Sequence, residues 1–370
     1  MSNKIVTVIG ARPQFVKAAE VSRALRKISG IAEVLVHTGQ HYDDNMSAVF
    51  FDELSIPPPG YHLGVGSGMH GAQTGLMLSR IEEVLIRERP DWVLIYGDTN
   101  STMAGALAAA KLHIPVAHVE AGLRSFNRSM PEEINRIVSD HVSDVLYAPT
   151  TTAMANLTNE GLSAKSLLVG DVMYDAAIFH GAQASDRKKL LDSHNLEQGN
   201  YLLVTVHRAE NTDSLARLTA IVDALINLAM RYSVVFPIHP RTLRVLQEAN
   251  LMTKLEVALI VLPPCGYLDM VALQKNAALI ITDSGGVQKE AMFFGVPCVT
   301  LRDETEWVET LEGGWNILAP PNSAVFIQGV VEAALTNQHN LGARTSAFGD
   351  GKAAVHIVED LIQGIRRRAG

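Results

Sequence analysis

The chain has 370 residues, of which 47% are apolar and 19% are charged, a globular composition with room for about two domains. Acidic residues outnumber basic residues by 39 to 31, so the formal net charge is −8 at pH 7. This charge excludes a generally basic surface of the kind that binds nucleic acid or an anionic membrane.

Cysteines, histidines and apolar runs narrow the protein class further. Cys265 and Cys298 provide neither a disulfide framework nor the paired spacing of a zinc site. The histidines show no HExxH spacing, so we predict no metal. No apolar run approaches the ~20 residues of a transmembrane helix, and the first ten residues lack a signal-peptide pattern. We therefore predict a cytoplasmic protein that does not bind membranes.

Short runs rich in Val and Ile alternate with stretches of helical period along the first half of the chain. The predicted strands are 4–10, 33–37, 91–97, 116–119 and 145–148. The predicted helices between them are 15–28, 72–87, 101–112 and 132–141. Regular alternation of strand and helix indicates βαβ units and a parallel sheet that is covered on both faces.

The alternation pauses near residues 169–172 and then resumes. The second series of predicted strands is 201–207, 233–238, 258–262, 278–283 and 297–301, with helices at 214–231, 287–294 and 352–368. We predict an α/β protein with two doubly wound Rossmann-like domains facing across a cleft. The N-terminal domain would span 1–170 and the C-terminal domain 171–348, and a helix within 349–370 would pack back toward the N-terminal domain.

Ligands of such sheets bind at the carboxyl ends of the strands, and polar residues of this chain concentrate there. In the first half, Arg12 follows the first strand and Lys17 lies one turn further on. This turn lacks the GxGxxG pattern, so it is either a simple βα turn or a place where two cations meet a ligand.

Three carboxylates of the first half, Asp98, Glu120 and Glu132, are candidates for acid–base chemistry. Asp98 has an alternative role as a helix N-cap. Glu132 has one as an acidic first-turn residue that pairs with Arg136. Glu120 follows an apolar strand and precedes Ala121-Gly122, so neither a cap nor a surface face explains it, and it is either a paired charge or a catalytic group.

Residues 283–290 predict a phosphate site in the second half. A buried strand ends in Ser284-Gly285-Gly286 and opens a helix, whose N–H groups can face a phosphate. A tight turn capped by Ser284 would explain the serine but not both glycines. Glu290 lies too far along the helix to cap it and is a candidate acceptor for ribose hydroxyls. His207-Arg208 and His239-Pro240-Arg241 end neighbouring strands, and these pairs favour binding of a diphosphate over two core histidines.

A set of ordered motifs carries a resemblance to a known family. The motifs occupy residues 10–14, 38–41, 97–99, 118–124, 131–136, 207–211, 239–240 and 283–290. In this combination the chain resembles the non-hydrolysing UDP-N-acetylglucosamine 2-epimerases over essentially its whole length. The resemblance implies the fold of GT-B glycosyltransferases, UDP in the interdomain cleft, a homodimer, and neither metal nor nicotinamide.

The resemblance also implies the chemistry. A base removes the proton at C2 of the sugar while UDP leaves C1, which gives a 2-acetamido glycal, and UDP adds back as a proton reaches the opposite face. By motif position, Asp98, Glu120 and Glu132 correspond to the acid–base set and His207 to a group near the leaving UDP. The implied substrate-binding residues are Arg12, Lys17, Arg136, His239, Tyr267, Ser284, Gly285, Gly286 and Glu290. The resemblance assigns no carboxylate to either face of C2.

Departures from the family pattern point to one of its branches. Tyr42 stands where familiar members have arginine, and 64–71 lacks the arginine that helps bind an activating UDP-sugar. Residues 305–309 replace a Thr-Glu-Arg-Pro-Glu pattern. With 124–127, these features resemble the branch that acts on UDP-2,3-diacetamido-2,3-dideoxyglucuronate, whose manno product feeds O-antigen synthesis. The alternatives are UDP-N-acetylglucosamine as substrate, a GT-B glycosyltransferase, and a sugar-nucleotide sensor without catalysis.

The sugar carboxylate of such a substrate needs a cationic or amide partner. The loop after Glu120 offers Arg124, Asn127 and Arg128. The alternative is an exposed loop whose arginines pair with nothing.

Overall fold

The computed structural model describes residues 3–40, 51, 53–183 and 187–369. Two motif residues of the sequence comparison, His41 and Tyr42, lie outside this range. Chain contacts divide the protein into unit 1, which comprises Met1–Ala176 and Ser346–Gly370, and unit 2, which comprises Ala177–Thr345. Each unit contains one parallel sheet.

The sheet of unit 1 has seven strands in the order β3-β2-β1-β4-β5-β6-β7. They are β1 (Asn3–Ile9), β2 (Ile31–His37), β3 (Tyr61–His62), β4 (Trp92–Tyr96), β5 (Val116–Val119), β6 (Val145–Ala148) and β7 (Ser166–Leu168). The helices are α1 (Arg12–Leu25), α2 (His70–Glu88), α3 (Asn100–Lys111), α4 (Pro131–Val142), α5 (Thr151–Asn159) and α6 (Val172–Gln183), which spans the boundary between the units. A 3₁₀ turn covers Ser163–Lys165.

Close packing of α3 on the sheet explains its small residues. A Cβ atom at Gly105 would lie 3.1 Å from Ile95 Cγ2 and 3.3 Å from Val8 Cγ1, so a larger residue would require these side chains to shift. All five residues of β4 are buried, which is typical of a central parallel strand. From β1 the chain continues to β2 and β3 on one side, and then returns to place β4 on the other side of β1. The strand order therefore reverses between β1 and β4. Ligands of doubly wound sheets bind at such a reversal.

The sheet of unit 2 has six strands in the order β10-β9-β8-β11-β12-β13 and reverses between β8 and β11. The strands are β8 (Tyr201–Thr205), β9 (Ser233–Pro237), β10 (Ile260–Leu262), β11 (Leu279–Thr282), β12 (Cys298–Thr300) and β13 (Asn316–Leu318). The helices are α7 (Lys188–Ser193), α8 (Ala209–Thr212), α9 (Leu215–Ala229), α10 (Pro240–Glu248), α11 (Met252–Ala258), α12 (Tyr267–Asn276), α13 (Gly285–Phe294) and α14 (Ala324–Thr336). Two 3₁₀ segments, Val308–Gly314 and Gln338–Asn340, complete the unit.

The predicted α/β class with doubly wound parallel sheets is confirmed, and each predicted strand is present. Three further strands, β3, β7 and β13, contain only two or three residues, too few to show a pattern in sequence. Over the part of the chain that the structure describes, no helix is both long and apolar enough to cross a membrane.

The last helix, α15 (Ala353–Ala369), belongs to unit 1 and packs against α1. Its N-terminus is held by a carboxylate of α6. Asp175 Oδ1 accepts a hydrogen bond from Ala353 N at 3.1 Å, and Oδ2 accepts one from Ala354 N at 2.8 Å. Burial nevertheless raises the pKa of Asp175 to about 6, with a further contribution from the charge of Glu20.

This raised pKa predicts a pH-dependent stability. Between the ordinary carboxyl pKa of 3.8 and about 6, the unfolded chain releases a proton that folded Asp175 retains. Rising pH therefore destabilises the wild type, by up to about 3 kcal/mol across this window. Asp175→Asn has no carboxyl group that titrates at this position. Its free energy of unfolding, relative to that of the wild type, should therefore increase from pH 4 to pH 6. Urea unfolding at pH 4 and pH 6 measures this difference in free energy of unfolding. The exposed Asp192→Asn is the control, for which we expect the same difference at both pH values. The same result for Asp175→Asn would contradict the prediction.

Candidate functional site

Glu120 occupies a strained backbone position at the carboxyl end of β5. Its φ is +69°, in the left-handed region that costs a non-glycine residue about 1–3 kcal/mol and that clusters at functional sites. The carboxylate forms an ion pair with Lys17 Nζ, and the exposed fractions of Glu120 and Lys17 are 8% and 7%. The structure thus brings together two of the predicted site residues in a nearly buried pair.

The turn that carries Asp98 lies beside this pair. A Cβ atom at Gly97 would lie 3.3 Å from Lys17 Nζ and 3.5 Å from Glu120 Oε1. Asp98 is not the N-cap of α3, as the alternative had it, because the Thr99 side chain caps that helix. The Asp98 carboxylate instead lies 2.6 Å from the Arg136 guanidinium, with its side chain 30% exposed.

Arg136 of helix α4 pairs with Glu133 and Asp98 instead of the expected Glu132. Arg136 Nη1 donates to Glu133 at 2.9 Å, and Ser125 N and Phe126 N donate to the same carboxylate at 2.9 and 3.0 Å. Burial alone would raise the pKa of Glu133, but the bonds from Ser125 and Arg136 outweigh it and hold this pKa below its usual value. Glu132 itself is exposed in the first turn of α4.

A buried charge network underlies these turns. His118 Nδ1 lies 2.7 Å from Asp140 Oδ1, and Asp140 Oδ2 accepts a hydrogen bond from Gly122 N at 3.1 Å and lies 2.8 Å from Arg124 Nη1. Arg124 also forms a fork with Glu160, at 2.7 and 2.8 Å. Both interpretations of Arg124, ligand contact and an exposed unpaired arginine, are therefore wrong, because its guanidinium is buried between two carboxylates.

The turn before α1 is fixed from inside by Gln14. The Gln14 side-chain oxygen accepts hydrogen bonds from Gly10 N at 2.7 Å and Ala11 N at 3.1 Å, while Nε2 donates to Tyr96 O at 2.8 Å. Arg12, the first residue of α1, is half-buried. These bonds occupy the backbone N–H groups of Gly10 and Ala11, and the turn holds Arg12 at the carboxyl end of β1.

Asp283 is the hub of the corresponding edge in unit 2. This fully buried carboxylate accepts hydrogen bonds from His207 N, Arg208 N and Asn211 Nδ2 at 3.0–3.1 Å, and its Oδ1 lies 3.2 Å from His207 Nδ1. Burial alone would raise the pKa of Asp283, but these bonds, led by that of His207, hold it below its usual value. An anionic Asp283 thereby orients the His207 ring.

The two histidines at the ends of β8 and β9 lie together. The His207 and His239 ring centroids are 5.6 Å apart, and the His207 side chain is 40% exposed. His239 Nδ1 accepts a hydrogen bond from Arg241 N at 3.2 Å and caps α10. Because His207 Nδ1 faces Asp283 and its side chain is 40% exposed, its Nε2 atom is the group of this ring that a ligand can contact.

The glycines of the predicted phosphate turn differ in what requires them. Ser284 caps α13 through Val287 N, as expected. A Cβ atom at Gly285 would lie 2.6 Å from Glu306 Oε1, so a larger residue would displace the Glu306 carboxylate. A Cβ atom at Gly286 would lie 3.9 Å from Ser284 Oγ, its nearest neighbour among the described residues. The fold thus explains Gly285 but leaves space at Gly286, next to the N–H groups of a helix start.

Gly286→Ala is expected to weaken UDP binding at least tenfold with little change in stability, because the new methyl group fills this space. Gly329→Ala, also in a helix of unit 2 and with nothing within 4 Å of the added Cβ, is the matched control and should leave UDP affinity unchanged. Calorimetric titration with UDP and thermal unfolding measure both. Equal UDP affinity in both variants would make Gly286 irrelevant to the nucleotide.

Glu290 and Tyr267, both predicted to bind substrate, contact each other. Tyr267 Oη donates to Glu290 Oε1 at 3.1 Å, and Gln274 Nε2 donates to Oε2 at 2.8 Å. Burial raises the pKa of Glu290 despite these bonds. The neighbouring Lys289 places Nζ 3.4 Å from the centre of the Trp307 ring, a buried cation–π contact.

The structure pairs Lys17 with Glu120 and Asp98 with Arg136 in unit 1, and His207 with His239 and Tyr267 with Glu290 in unit 2, where Ser284, Gly285 and Gly286 form the start of α13. The supporting carboxylates Glu133 and Asp140 were not predicted. They lie three residues before and four residues after Arg136 on α4, which places all three side chains on one face of the helix. That spacing is the signal that could have identified them.

Comparisons with known proteins agree over nearly the whole chain. The family model described as UDP-N-acetylglucosamine 2-epimerase matches residues 23–362. The chain is 51% identical to a UDP-N-acetylglucosamine 2-epimerase homolog of Methanococcus maripaludis and 50% identical to the UDP-2,3-diacetamido-2,3-dideoxy-D-glucuronate 2-epimerase of Pseudomonas aeruginosa. Each alignment covers 97% of this chain and 99% of the relative.

A solved structure agrees as well. The crystal structure of Methanocaldococcus jannaschii UDP-GlcNAc 2-epimerase in complex with UDP-GlcNAc and UDP superposes with a TM-score of 0.90 at 45% identity. The superposition covers 98% of this chain and 100% of that one.

Proposed function

Because this chain belongs to the UDP-N-acetylglucosamine 2-epimerase family and is a UDP-sugar 2-epimerase, an isomerase, we propose that its substrate is UDP-2,3-diacetamido-2,3-dideoxyglucuronate. The 50% identity to a relative named for that activity is matched by 51% identity to a UDP-N-acetylglucosamine 2-epimerase homolog, so the proposal is carried by the sequence features at 305–309 and 124–127. UDP-N-acetylglucosamine is the second candidate, since a relative named for that activity is 45% identical.

The proposed reaction divides between the two units. In unit 1, a carboxylate removes the C2 proton as the C1–O bond breaks. UDP leaves with the bonding electron pair, and a C1–C2 double bond forms. In the return step UDP rebonds to C1 and a second acid delivers a proton to the other face of C2. Asp98, Glu120 and Glu132 are the proposed acid–base carboxylates, and Glu120 forms an ion pair with Lys17.

In unit 2, we assign the leaving diphosphate to His207, His239 and the N-terminus of α13. The N–H groups of that helix start and the imidazoles oppose the negative charge that develops on UDP. Glu290 and Tyr267 are assigned to the ribose. A homodimer and a place in surface polysaccharide synthesis, as a source of the manno epimer, complete the proposal.

The sugar carboxylate of the proposed substrate is assigned to Arg128. Arg124 is committed to Asp140 and Glu160, whereas Arg128 is exposed in the loop between β5 and α4. Asn127 is occupied locally, because its side-chain oxygen accepts hydrogen bonds from Ser129.

Turnover of both UDP-sugars in D₂O tests the substrate. We expect kcat/KM to be at least about tenfold higher for the uronate, because the sugar of UDP-N-acetylglucosamine lacks the carboxylate and the second acetamido group that the site would recognise. Arg128→Met should reduce this preference, and the exposed Arg231→Met of unit 2 should not. Equal or faster turnover of UDP-N-acetylglucosamine would overturn the uronate assignment. Deuterium at C2 of the recovered sugar distinguishes epimerisation from glycosyl transfer.

A further inference from the structure

His118 of β5 places both of its ring nitrogens against acceptors. Nδ1 lies 2.7 Å from Asp140 Oδ1, and Nε2 lies 2.7 Å from the carbonyl oxygen of Gly97. The side chain is fully buried, so water cannot serve either nitrogen. A carbonyl oxygen only accepts hydrogen bonds, and Nε2 therefore carries a proton.

Asp140 does not supply the proton in its contact with Nδ1 of His118. Its other oxygen, Oδ2, accepts a hydrogen bond from Gly122 N and pairs with Arg124 Nη1. Burial alone would raise the pKa of Asp140, yet this pKa lies below its usual value. Arg124, whose positive charge does not depend on His118, pairs with Oδ2 at 2.8 Å and keeps Asp140 ionised. Asp140 is thus a carboxylate and accepts on Oδ1 as well, which requires a proton on Nδ1 of His118.

We propose that His118 is a buried imidazolium that acts as a positioning residue, clamping together the two turns that carry Asp98 and Glu120. The neighbouring charges allow it. Asp140 lies between the cations His118 and Arg124, and Glu160 pairs with the far side of Arg124, so the group of four is neutral. The role in catalysis rests on the proposed function, whereas the protonation state does not.

Other charges face this group from neighbouring elements. Lys17 and Glu120 form a separate, neutral ion pair, which lies where a side chain at position 97 would point. Lys165 donates to the backbone carbonyl of Asp140 at 3.0 Å and to that of Ser143. None of these groups provides a second anion for His118, so Asp140 is the partner that stabilises its charge.

The clamp acts on three left-handed backbone positions. Gly97, Glu120 and Gly122 have φ values of +63°, +69° and +83°. Gly97 N donates to Val119 O at 3.0 Å and Gly97 O accepts from His118, while Asp140 holds Gly122 N. A neutral ring carries one N–H and would lose one of its two contacts, releasing either the Gly97 turn or the Asp140 side chain. A displacement of about 1 Å at reacting groups costs about 100-fold in rate.

Nitrogen-15 NMR of the full-length protein, labelled at the histidine rings, tests the charge without any substrate. At pH 7 we expect one ring with protons on both nitrogens and slow exchange with water, whose signals disappear in His118→Gln and persist in the exposed His339→Gln. A His118 ring with a single protonated nitrogen would overturn the proposal.

Kinetics test the positioning role. His118→Gln places an oxygen or an amide against Asp140 and Gly97 but cannot donate to both in the ring geometry. We expect kcat to fall about 100-fold, with KM and UDP affinity within about twofold of wild type. Asp140→Asn should keep the Nε2 bond to Gly97, because its amide can donate to an unprotonated Nδ1, and should retain more activity than His118→Gln.

Unchanged kcat in folded His118→Gln would overturn the positioning role. A doubly protonated ring in a wild-type protein that epimerises neither UDP-sugar would instead contradict the proposed function and leave the charge assignment intact.

Discussion

Glu120→Gln is expected to lower kcat for epimerisation by about 10²–10⁴-fold, the usual effect of losing a positioned acid–base group. Glutamine has nearly the same shape and can still accept a hydrogen bond from Lys17, but it cannot take a proton from C2. UDP affinity should change little, because the groups assigned to UDP belong to unit 2. Rates of deuterium incorporation at C2 and UDP titration by calorimetry measure the two effects.

Glu83→Gln is the matched control, since Glu83 is exposed on α2 of the same unit. It should retain wild-type kcat. Glu120→Gln also leaves the buried Lys17 ammonium without an opposite charge, so some loss of stability is expected, and both proteins are compared below their unfolding temperatures. Full turnover by a folded Glu120→Gln protein would remove Glu120 from the acid–base set.

Asp283→Asn is expected to lower kcat on the order of 10²-fold, the cost of displacing a group at the reaction site by about 1 Å. The carboxylate receives three N–H donors and faces His207 Nδ1. The amide nitrogen of the introduced asparagine would face one of these N–H donors and could not accept its hydrogen bond. The His207 ring would therefore lose the partner that orients it. Steady-state kinetics with the wild-type substrate checks this prediction, and the exposed Asp223→Asn on α9 is the control.

The stability of the same variant should depend on pH in a defined direction. Because the folded pKa of Asp283 is lowered, its stabilising effect is complete above the ordinary carboxyl pKa and is lost as pH falls through the folded value. The wild type should therefore exceed Asp283→Asn in free energy of unfolding at pH 7, and the difference should shrink below pH 4. A difference that persists in acid would contradict the assignment of an ionised Asp283.

The sequence by itself was sufficient for the α/β class and for the edges at which the candidate residues gather. Buried parallel strands such as β4 are continuous apolar runs, and the residues directly after them must lie at the carboxyl edge of the sheet. Glu120 was predicted for the same local reason: a carboxylate directly after an apolar strand has neither a helix to cap nor an exposed face.

Only the tertiary structure decided which partner each polar side chain has. Arg124 was predicted either to face a ligand or to be exposed and unpaired, but it is buried between Asp140 and Glu160, residues 16 and 36 positions further along the chain. Asp98 has a local pattern that fits an N-cap, yet it pairs with Arg136 of another helix. Local propensity is written into neighbouring residues, whereas ion pairs and the charge of a buried histidine depend on groups that only folding brings within hydrogen-bond distance.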